Sequence, residues 1–250
     1  MLRVESDGPI LRLTLARPEV KNAFNDELIA RLTEALSTST EARAIVITGE
    51  GNAFCAGGDL QWMRKAASYT EEQNYEDALK LANLFLVMTR SPAVVIARVN
   101  GAAFGGGCGL VAAADVAVAS EDALFAFSEV RLGLVPATIS PFVLPKIGEG
   151  HARALFTTGE AFKPDRALRI GLVHEVVPAN ELDYAVQKKL RAILSAGPES
   201  VSISKSIATS EPMALDVAAR VLARARAGQE GQEGVAAFLE KRKASFVVDL

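Results

Sequence analysis

Two glycine-rich stretches carry the residues of this sequence whose types and spacing could do chemistry. The first reads Ala53-Phe-Cys-Ala-Gly-Gly-Asp-Leu, and the second reads Val99-Asn-Gly-Ala-Ala-Phe-Gly-Gly-Gly-Cys-Gly-Leu. An apolar run precedes the second stretch and an Ala-rich run follows it, so a strand, a glycine turn and a helix are predicted there. Free N–H groups at the positive end of a helix can hold a phosphate, or an oxygen that becomes negative during a reaction.

The phosphate alternative has a specific test in the glycine spacing. A dinucleotide fingerprint that began at Gly105 and Gly107 would need a third glycine where the sequence has Leu110. A P-loop would end in Gly-Lys-Ser/Thr, which is missing from both stretches. The glycines therefore give little support to a nucleotide cradle, and by themselves they fit close helix–strand packing about as well as a functional turn.

Two similar turns, each after a short apolar strand, suggest one shared site. The N–H groups of Gly58 and Gly106 could point at a single oxygen, and loss of one such donor typically slows a reaction ~10²–10³-fold. Glu129 lies between two apolar segments, where desolvation would raise its pKa and suit it to acid–base catalysis. The alternative for Glu129 is an exposed loop position, which is the commoner environment of a glutamate.

The elements that must position these residues alternate between strands and helices. Apolar and polar residues alternate over Ile10–Ala16, which predicts a strand, and Asn25 is a candidate cap for the helix that follows. Further strands are predicted at Ala44–Thr48, Val94–Val99, Val116–Ala119 and Val173–Val177. A long helical region is predicted over residues 60–90, with further helices over Pro141–Ile147, His151–Thr158, Pro164–Ile170 and Glu181–Ala196, and a mostly helical tail over 198–243. The pattern predicts an α/β fold.

Composition limits the classes of function. The net charge of −3 argues against a nucleic-acid binder that works by bulk attraction. The N-terminus does not resemble a signal peptide, and the longest apolar run is shorter than the ~20 residues of a membrane span, so we expect a soluble, cytoplasmic protein. The two cysteines and two histidines do not form metal-ligand spacings, so no metal site is predicted.

Six motifs, in order and at matching spacing, resemble the enoyl-CoA hydratase/isomerase (crotonase) family. They are Phe54-Cys-Ala-Gly-Gly-Asp-Leu, the glycine stretch from Asn100, Ala114-Asp-Val-Ala-Val-Ala, Phe127-Ser-Glu-Val-Arg-Leu-Gly-Leu-Val-Pro, Leu155-Phe-Thr-Thr-Gly-Glu and Gly171-Leu-Val. The resemblance implies a spiral of ββα units over residues 1–195 that carries the acyl-CoA site. It also implies a C-terminal helical oligomerisation region over 196–250, a homotrimer or dimer of trimers, and an acyl-CoA thioester substrate with no separate cofactor.

The same resemblance assigns roles to individual residues. Gly58 and Gly106 match the oxyanion-hole positions, and Glu129 matches the second of the family's two catalytic glutamates. Contacts with coenzyme A are implied for segments around the first glycine turn and for two C-terminal residues. These residues are Lys21, Ala23, Ala56, Asp59, Leu60, Lys241 and Phe246, the last two reaching coenzyme A in some relatives from a neighbouring subunit.

Gly109 departs from the family pattern, because two-glutamate hydratases carry their first catalytic glutamate there. The separation of 129 − 109 = 20 residues fits the family spacing. A single carboxylate could still orient water and deliver a proton to C2, as in hydratases of the methylglutaconyl-CoA type, which the Ser128–Phe142 segment resembles. It could instead move a proton between C4 and C2 without water, which is isomerisation, as in isomerases of the family whose single glutamate matches Glu129. A third alternative is an acyl-CoA-binding subunit without turnover.

The sequence says less about the acyl group of the substrate than about the catalytic residues. Trp62, Met63, Tyr69, Tyr75 and Phe85 lie in or near the helical region after the first glycine turn and could line an acyl pocket, although an ordinary helix core explains them equally well. Arg131 could meet a substrate carboxylate, or be a surface or interface arginine.

Overall fold

Ten strands form two sheets in the structure, a computed structural model that describes residues 1–250. The strands are β1 (Leu2–Asp7), β2 (Ile10–Leu15), β3 (Ala44–Gly49), β4 (Ala53–Cys55), β5 (Val94–Val99), β6 (Ala102–Phe104), β7 (Val116–Ser120), β8 (Phe125–Ala126), β9 (Ala161–Phe162) and β10 (Glu175–Val177). The larger sheet has the order β1-β2-β3-β5-β7-β10, and the smaller has the order β4-β6-β8-β9. All neighbouring pairs are parallel except β1–β2 and β8–β9.

Ten α-helices connect or follow these strands. They are α1 (Asp26–Thr38), α2 (Leu60–Ala66), α3 (Glu71–Arg90), α4 (Gly106–Ala113), α5 (Ser140–Thr158), α6 (Pro164–Arg169), α7 (Leu182–Leu194), α8 (Pro198–Ala208), α9 (Leu215–Ala227) and α10 (Gln229–Leu239). The helical region expected over 60–90 is two helices rather than one. Thr70 starts the second of them with a capping box to Gln73, which satisfies N–H groups at the new N-terminus.

The chain repeats one unit three times. A strand of the large sheet is followed by a short strand of the small sheet and then by helical structure, as β3-β4-α2-α3, β5-β6-α4 and β7-β8-α5. The expected α/β fold, a spiral of ββα units with C-terminal helices, is thereby confirmed. Each repeat brings a turn after the small sheet to the same end of the molecule, because the three short strands are parallel neighbours.

The core explains why the central strands read as unbroken apolar runs. Strands β3 and β5 are buried along almost their whole length, as parallel strands covered on both faces must be. Helices α1, α3, α4 and α5 pack on one face of the large sheet, and α7 packs on the other. The two sheets and the helices between them therefore hold the glycine turns on a rigid base.

The C-terminal segment is helical, as expected, and is tied to the large sheet. The guanidinium group of Arg43, just before β3, donates to the carbonyl oxygens of Ala196 and Phe246. Leu215, Phe238 and Leu239 on the last helices are 89%, 82% and 72% exposed. The division at residue 195 stays a prediction. None of the helices is both long and apolar enough to span a membrane.

Candidate active site

Phe24 joins the two glycine turns. Its N–H donates to the carbonyl oxygen of Gly57 at 2.7 Å, and its own carbonyl oxygen accepts from the N–H of Asp59 at 2.8 Å. Its ring lies 3.0 Å from the position that a Cβ atom on Gly106 would occupy. The turn that carries Gly58 and the turn that carries Gly106 therefore meet at one buried residue.

The strand register brings Gly58 and Gly106 into equivalent positions. Cys55 of β4 pairs with Ala103 of β6, and each glycine follows its paired residue by three positions. The N–H of Gly58 and the N–H of Gly106 have no hydrogen-bond acceptor within the chain. Gly106 is also the first residue of α4, where the positive end of the helix favours negative charge. Two adjacent turns thus present two unused donors.

Gly107 explains why this turn needs successive glycines. A Cβ atom there would lie 2.2 Å from the carbonyl oxygen of Cys55, so a side chain would separate α4 from β4. The preceding Gly105 has φ +50°, a conformation that L side chains rarely adopt. The glycines therefore serve both packing and function. Gly107 allows close packing of α4 on β4, and Gly106 presents a free N–H.

Glu129 lies beside the second turn. It opens a single 3₁₀ turn, Glu129–Leu132, directly after β8, and its Oε1 lies 3.3 Å from the position of a Cβ on Gly105. Its Oε2 is buried and has no hydrogen-bond partner. Burial raises the pKa of Glu129, opposed in part by its own backbone N–H. A carboxyl group that is partly desolvated, with one oxygen unpaired, beside the turn that carries the free N–H of Gly106 is suited to proton transfer.

The position of the family's first glutamate is filled by apolar side chains. A Cβ atom on Gly109 would lie 2.6 Å from Cγ2 of Ile139 and 2.6 Å from Cζ of Phe85. Both residues are buried, and Phe85 also packs against Phe142. The site therefore has one carboxylate and, where a second would stand, a closed apolar wall.

Arg131 contacts the end of α5 through one hydrogen bond to the backbone. Its Nε donates to the carbonyl oxygen of Gly159 at 2.8 Å, at the C-terminal end of α5. This contact fastens the 3₁₀ turn of Glu129 to the helix.

The side chains considered for an acyl pocket lie in different environments. A Cβ on Gly58 would lie 3.4 Å from Met63 and 3.7 Å from Trp62, so these two side chains cover the first turn. Phe85 belongs to the wall at Gly109, whereas Tyr75 is exposed.

The residues assigned to coenzyme A fall into two groups. Ala56 donates its N–H to the carbonyl oxygen of Lys21 at 3.0 Å, so the 17–24 loop and the first glycine turn are in contact. Ala23 is buried in that loop, and Leu60 is 74% exposed at the start of α2. The carboxylate of Asp59 is buried and accepts hydrogen bonds from Arg17, Gln61 and Trp62, so it faces the protein.

Phe246 lies at the end of β3 that is opposite to the first glycine turn. The carbonyl oxygen of Phe246 accepts from Arg43, which precedes β3, whereas Gly58 comes after the far end of that strand. Six residues of strand span about 20 Å. The contacts of Lys241 and Phe246 with coenzyme A stay a prediction.

Sequence reasoning missed Phe24, Arg17 and Ile139. It treated Arg17–Asn25 as a turn-rich loop, although a Phe amid polar residues is a candidate for burial. Cys55 and Cys108 are both buried, and burial raises the pKa of Cys55 to about 12, which keeps it a neutral thiol.

The comparisons with known proteins agree with this geometry. The family model described as enoyl-CoA hydratase/isomerase matches residues 5–248. A crotonyl-CoA hydratase of Syntrophomonas wolfei is 34% identical over 254 residues, covering 98% of this chain and 96% of that protein. A short-chain-enoyl-CoA hydratase of Clostridium acetobutylicum is 31% identical over 255 residues, covering 96% and 95%.

Solved structures give the same result. Pseudomonas aeruginosa AtuE superposes with a TM-score of 0.95 at 35% identity, covering 99% of each chain. An enoyl-CoA hydratase of Mycobacterium smegmatis superposes with a TM-score of 0.91 at 33% identity, covering 98% of each chain. The chain belongs to the enoyl-CoA hydratase/isomerase family. It is an enzyme of that family, which acts on acyl-CoA thioesters.

Proposed function

We propose that this protein is an enoyl-CoA hydratase that adds water across the 2,3 double bond of a 2-enoyl-CoA. The N–H groups of Gly58 and Gly106 hold the thioester oxygen as it becomes an enolate oxygen. Glu129 takes a proton from water as the water oxygen bonds to C3, and then delivers a proton to C2. Coenzyme A enters as part of the substrate, and no other cofactor is used.

The observation that carries the proposal is the half-buried carboxylate of Glu129, whose Oε2 is buried and without a partner, beside the turn that leads to Gly106. A carboxyl group in that position can exchange protons with C2, the carbon next to the thioester carbonyl whose oxygen becomes negative. The named activities of the Syntrophomonas and Clostridium relatives support hydration.

One observation favours a second candidate, Δ3,Δ2-enoyl-CoA isomerisation. Ile139 and Phe85 close the place of the other carboxylate, so Glu129 is the only acid of that pair that could hold the attacking water. An isomerase needs no water, since Glu129 would take the C2 proton of a 3-enoyl-CoA and return it to C4.

Product mass separates the two reactions. With crotonyl-CoA, longer 2-enoyl-CoAs and methylglutaconyl-CoA, we expect loss of the absorbance of the conjugated thioester and a product one water heavier, measured by mass spectrometry. A 3-enoyl-CoA that gained conjugation at unchanged mass, with no hydrated product from any 2-enoyl-CoA, would establish the isomerase instead. Methylglutaconyl-CoA also tests whether a substrate carboxylate is accepted, given that Arg131 Nε is bound to Gly159.

The pH dependence of kcat/KM should reveal the desolvated carboxylate. Glu129 must be ionised to accept a proton from water, and its pKa is raised by burial. Activity is therefore expected to fall on the acid side with a midpoint clearly above about 4.3, the pKa of a solvent-exposed glutamate. A midpoint at or below that value, in a pH range where the protein stays folded, would contradict the assignment.

We also propose that the enzyme is a cytoplasmic homotrimer or a dimer of trimers. The exposed apolar residues of α9 and α10, including Leu215 and Phe238, support an assembly built through the C-terminal helices.

A further inference from the structure

A buried ion pair lies immediately behind the first oxyanion donor. Arg17 Nη2 donates to Asp59 Oδ2 at 2.7 Å, and the two side chains are only 13% and 7% exposed. Asp59 directly follows Gly58 in the sequence, so its carboxylate is the nearest acidic group along the chain to that N–H.

The pair connects three segments around the turn. Asp59 Oδ1 accepts from the N–H groups of Gln61 and Trp62 at 2.7 and 3.3 Å, which caps α2. Arg17 Nη1 donates to the carbonyl oxygen of Ala23 at 2.6 Å, next to Phe24. Burial acts to raise the pKa of Asp59, but the hydrogen bonds from Arg17, Gln61 and Trp62 outweigh it and hold that pKa below its usual range.

The charge of Asp59 would oppose the reaction if it stood alone. Negative charge develops on the thioester oxygen at Gly58, and an uncompensated carboxylate one residue away would raise the free energy of that state. Arg17 supplies the compensating positive charge from the protein side. Its forked guanidinium also fixes the orientation of the turn by bonding to Asp59 and Ala23 together.

We propose that Arg17 is a positioning residue for the oxyanion hole, which acts through Asp59 mainly by cancelling the carboxylate charge next to Gly58. This inference rests on the proposed function. It assigns to Arg17 an effect on the charged enolate state and little effect on the binding of an uncharged ground state.

The loop does not depend on Arg17 alone for its shape. The side chain of Asn22 is fully buried, accepts from the backbone N–H of Arg17 at 2.9 Å, and donates to the carbonyl oxygens of Glu50 and Ala53 at 2.9 and 2.8 Å. These bonds remain when the Arg17 side chain is changed, so a variant at this position is expected to fold.

The test uses acetoacetyl-CoA, a thioester whose C2 proton is acidic and whose enolate absorbs in the near ultraviolet. The absorbance of acetoacetyl-CoA bound to the protein is measured as the pH is varied. The apparent pKa of the bound ligand then measures how strongly the site stabilises an enolate. We expect Arg17→Met to weaken enolate stabilisation about 10- to 100-fold and to lower kcat by a similar factor, with KM changed little. Arg17→Lys, which keeps the charge, should retain most of the effect.

The double variant Arg17→Met/Asp59→Asn separates charge from packing. With both charges removed, enolate stabilisation should recover to within a few-fold of the wild type, although more hydrogen bonds have been lost. A purely structural pair would leave the double variant as weak as Arg17→Met or weaker, and that result would overturn the proposal. Arg3→Met is the matched control, because Arg3 pairs with Glu50 at 3.0 Å on the exposed surface.

Acetoacetyl-CoA is bound without hydration, so its readout does not depend on which reaction the enzyme performs. If the double variant recovers enolate stabilisation while no 2-enoyl-CoA is hydrated, the proposed reaction fails and the role of Arg17 stands. If the wild type itself leaves the ligand's pKa at its free value, the oxyanion hole is absent and both proposals fail.

Discussion

Glu129→Gln is expected to lower kcat about 10²- to 10⁴-fold, the usual range for loss of a positioned acid–base group. Glutamine keeps the shape of the side chain but cannot accept a proton from water or deliver one to C2. The two N–H donors on Gly58 and Gly106 are unchanged, so a saturated acyl-CoA should bind with a similar dissociation constant. Steady-state kinetics and calorimetric titration measure the two quantities on the same preparation.

The same substitution is expected to stabilise the fold at neutral pH. Burial raises the pKa of Glu129, so the folded state holds the proton more tightly than the unfolded state does. The stability it contributes is complete below the pKa of the unfolded chain and is lost as pH rises through the higher folded value. At pH 7, burial of this carboxyl group therefore costs stability relative to pH 4, and Glu129→Gln should raise Tm, by roughly 2–4 °C for each kcal/mol regained. The gain should vanish near pH 4.

Glu149→Gln is the matched control for both effects. Glu149 lies on α5 with its side chain 81% exposed, and it contacts only Arg153 at 3.8 Å. We expect neither turnover nor Tm to change measurably, because exposed ion pairs contribute little. Wild-type turnover in Glu129→Gln would remove this residue from the mechanism, whatever happened to Tm.

The fold could be predicted because its signals are local. Unbroken apolar runs mark the buried parallel strands, and the glycine stretches mark the turns that follow the small sheet. Strand β6 was missed, since its three residues, Ala102–Phe104, lie inside the second glycine stretch and are too short to show alternation. The break before Thr70 was also missed, because a capping box depends on two polar residues within an otherwise helical pattern.

The candidate site could be predicted only in part, because its contacts join distant segments. Glycines and a glutamate are recognisable by type, but the link between the two turns runs through Phe24, whose environment is set by the fold. Arg17 and Asp59 are 42 residues apart, so local patterns could not pair them. The carboxylate of Asp59 faces the protein, and the expected contact of this residue with coenzyme A stays a prediction.

Gly109 also could not be interpreted fully before its neighbours were known. In the sequence, Gly109 stands at the position where two-glutamate hydratases have a carboxylate. In the structure it is a position with no room for a side chain, because Ile139 comes from the segment after Glu129 and Phe85 comes from α3. The single-carboxylate site is thus part of the packing of α4 and not a simple deletion that one substitution could reverse.

Restoring the second carboxylate by Gly109→Glu is therefore expected to destabilise the protein by about 3 kcal/mol or more. The new Cβ would lie 2.6 Å from both Ile139 and Phe85, well inside van der Waals contact, and the carboxylate would enter an apolar wall. For a chain of this size the loss corresponds to roughly 6–12 °C in Tm. The rate of hydration should fall as well. It is measured as turnover of crotonyl-CoA at a temperature where the variant is folded.

A graded series distinguishes crowding from charge. Gly109→Ala adds only the clashing Cβ and should cost about 1–3 kcal/mol. Gly150→Ala is the matched control, because no atom lies within 4 Å of its added Cβ, and alanine at a compatible helical position should leave Tm unchanged or slightly higher. Gly109→Glu with Ile139→Ala opens part of the space and should recover some of the lost Tm. A Gly109→Glu variant as stable as the wild type would show that α4 can move away from Ile139 and Phe85, and that the apolar wall does not enforce a one-carboxylate site.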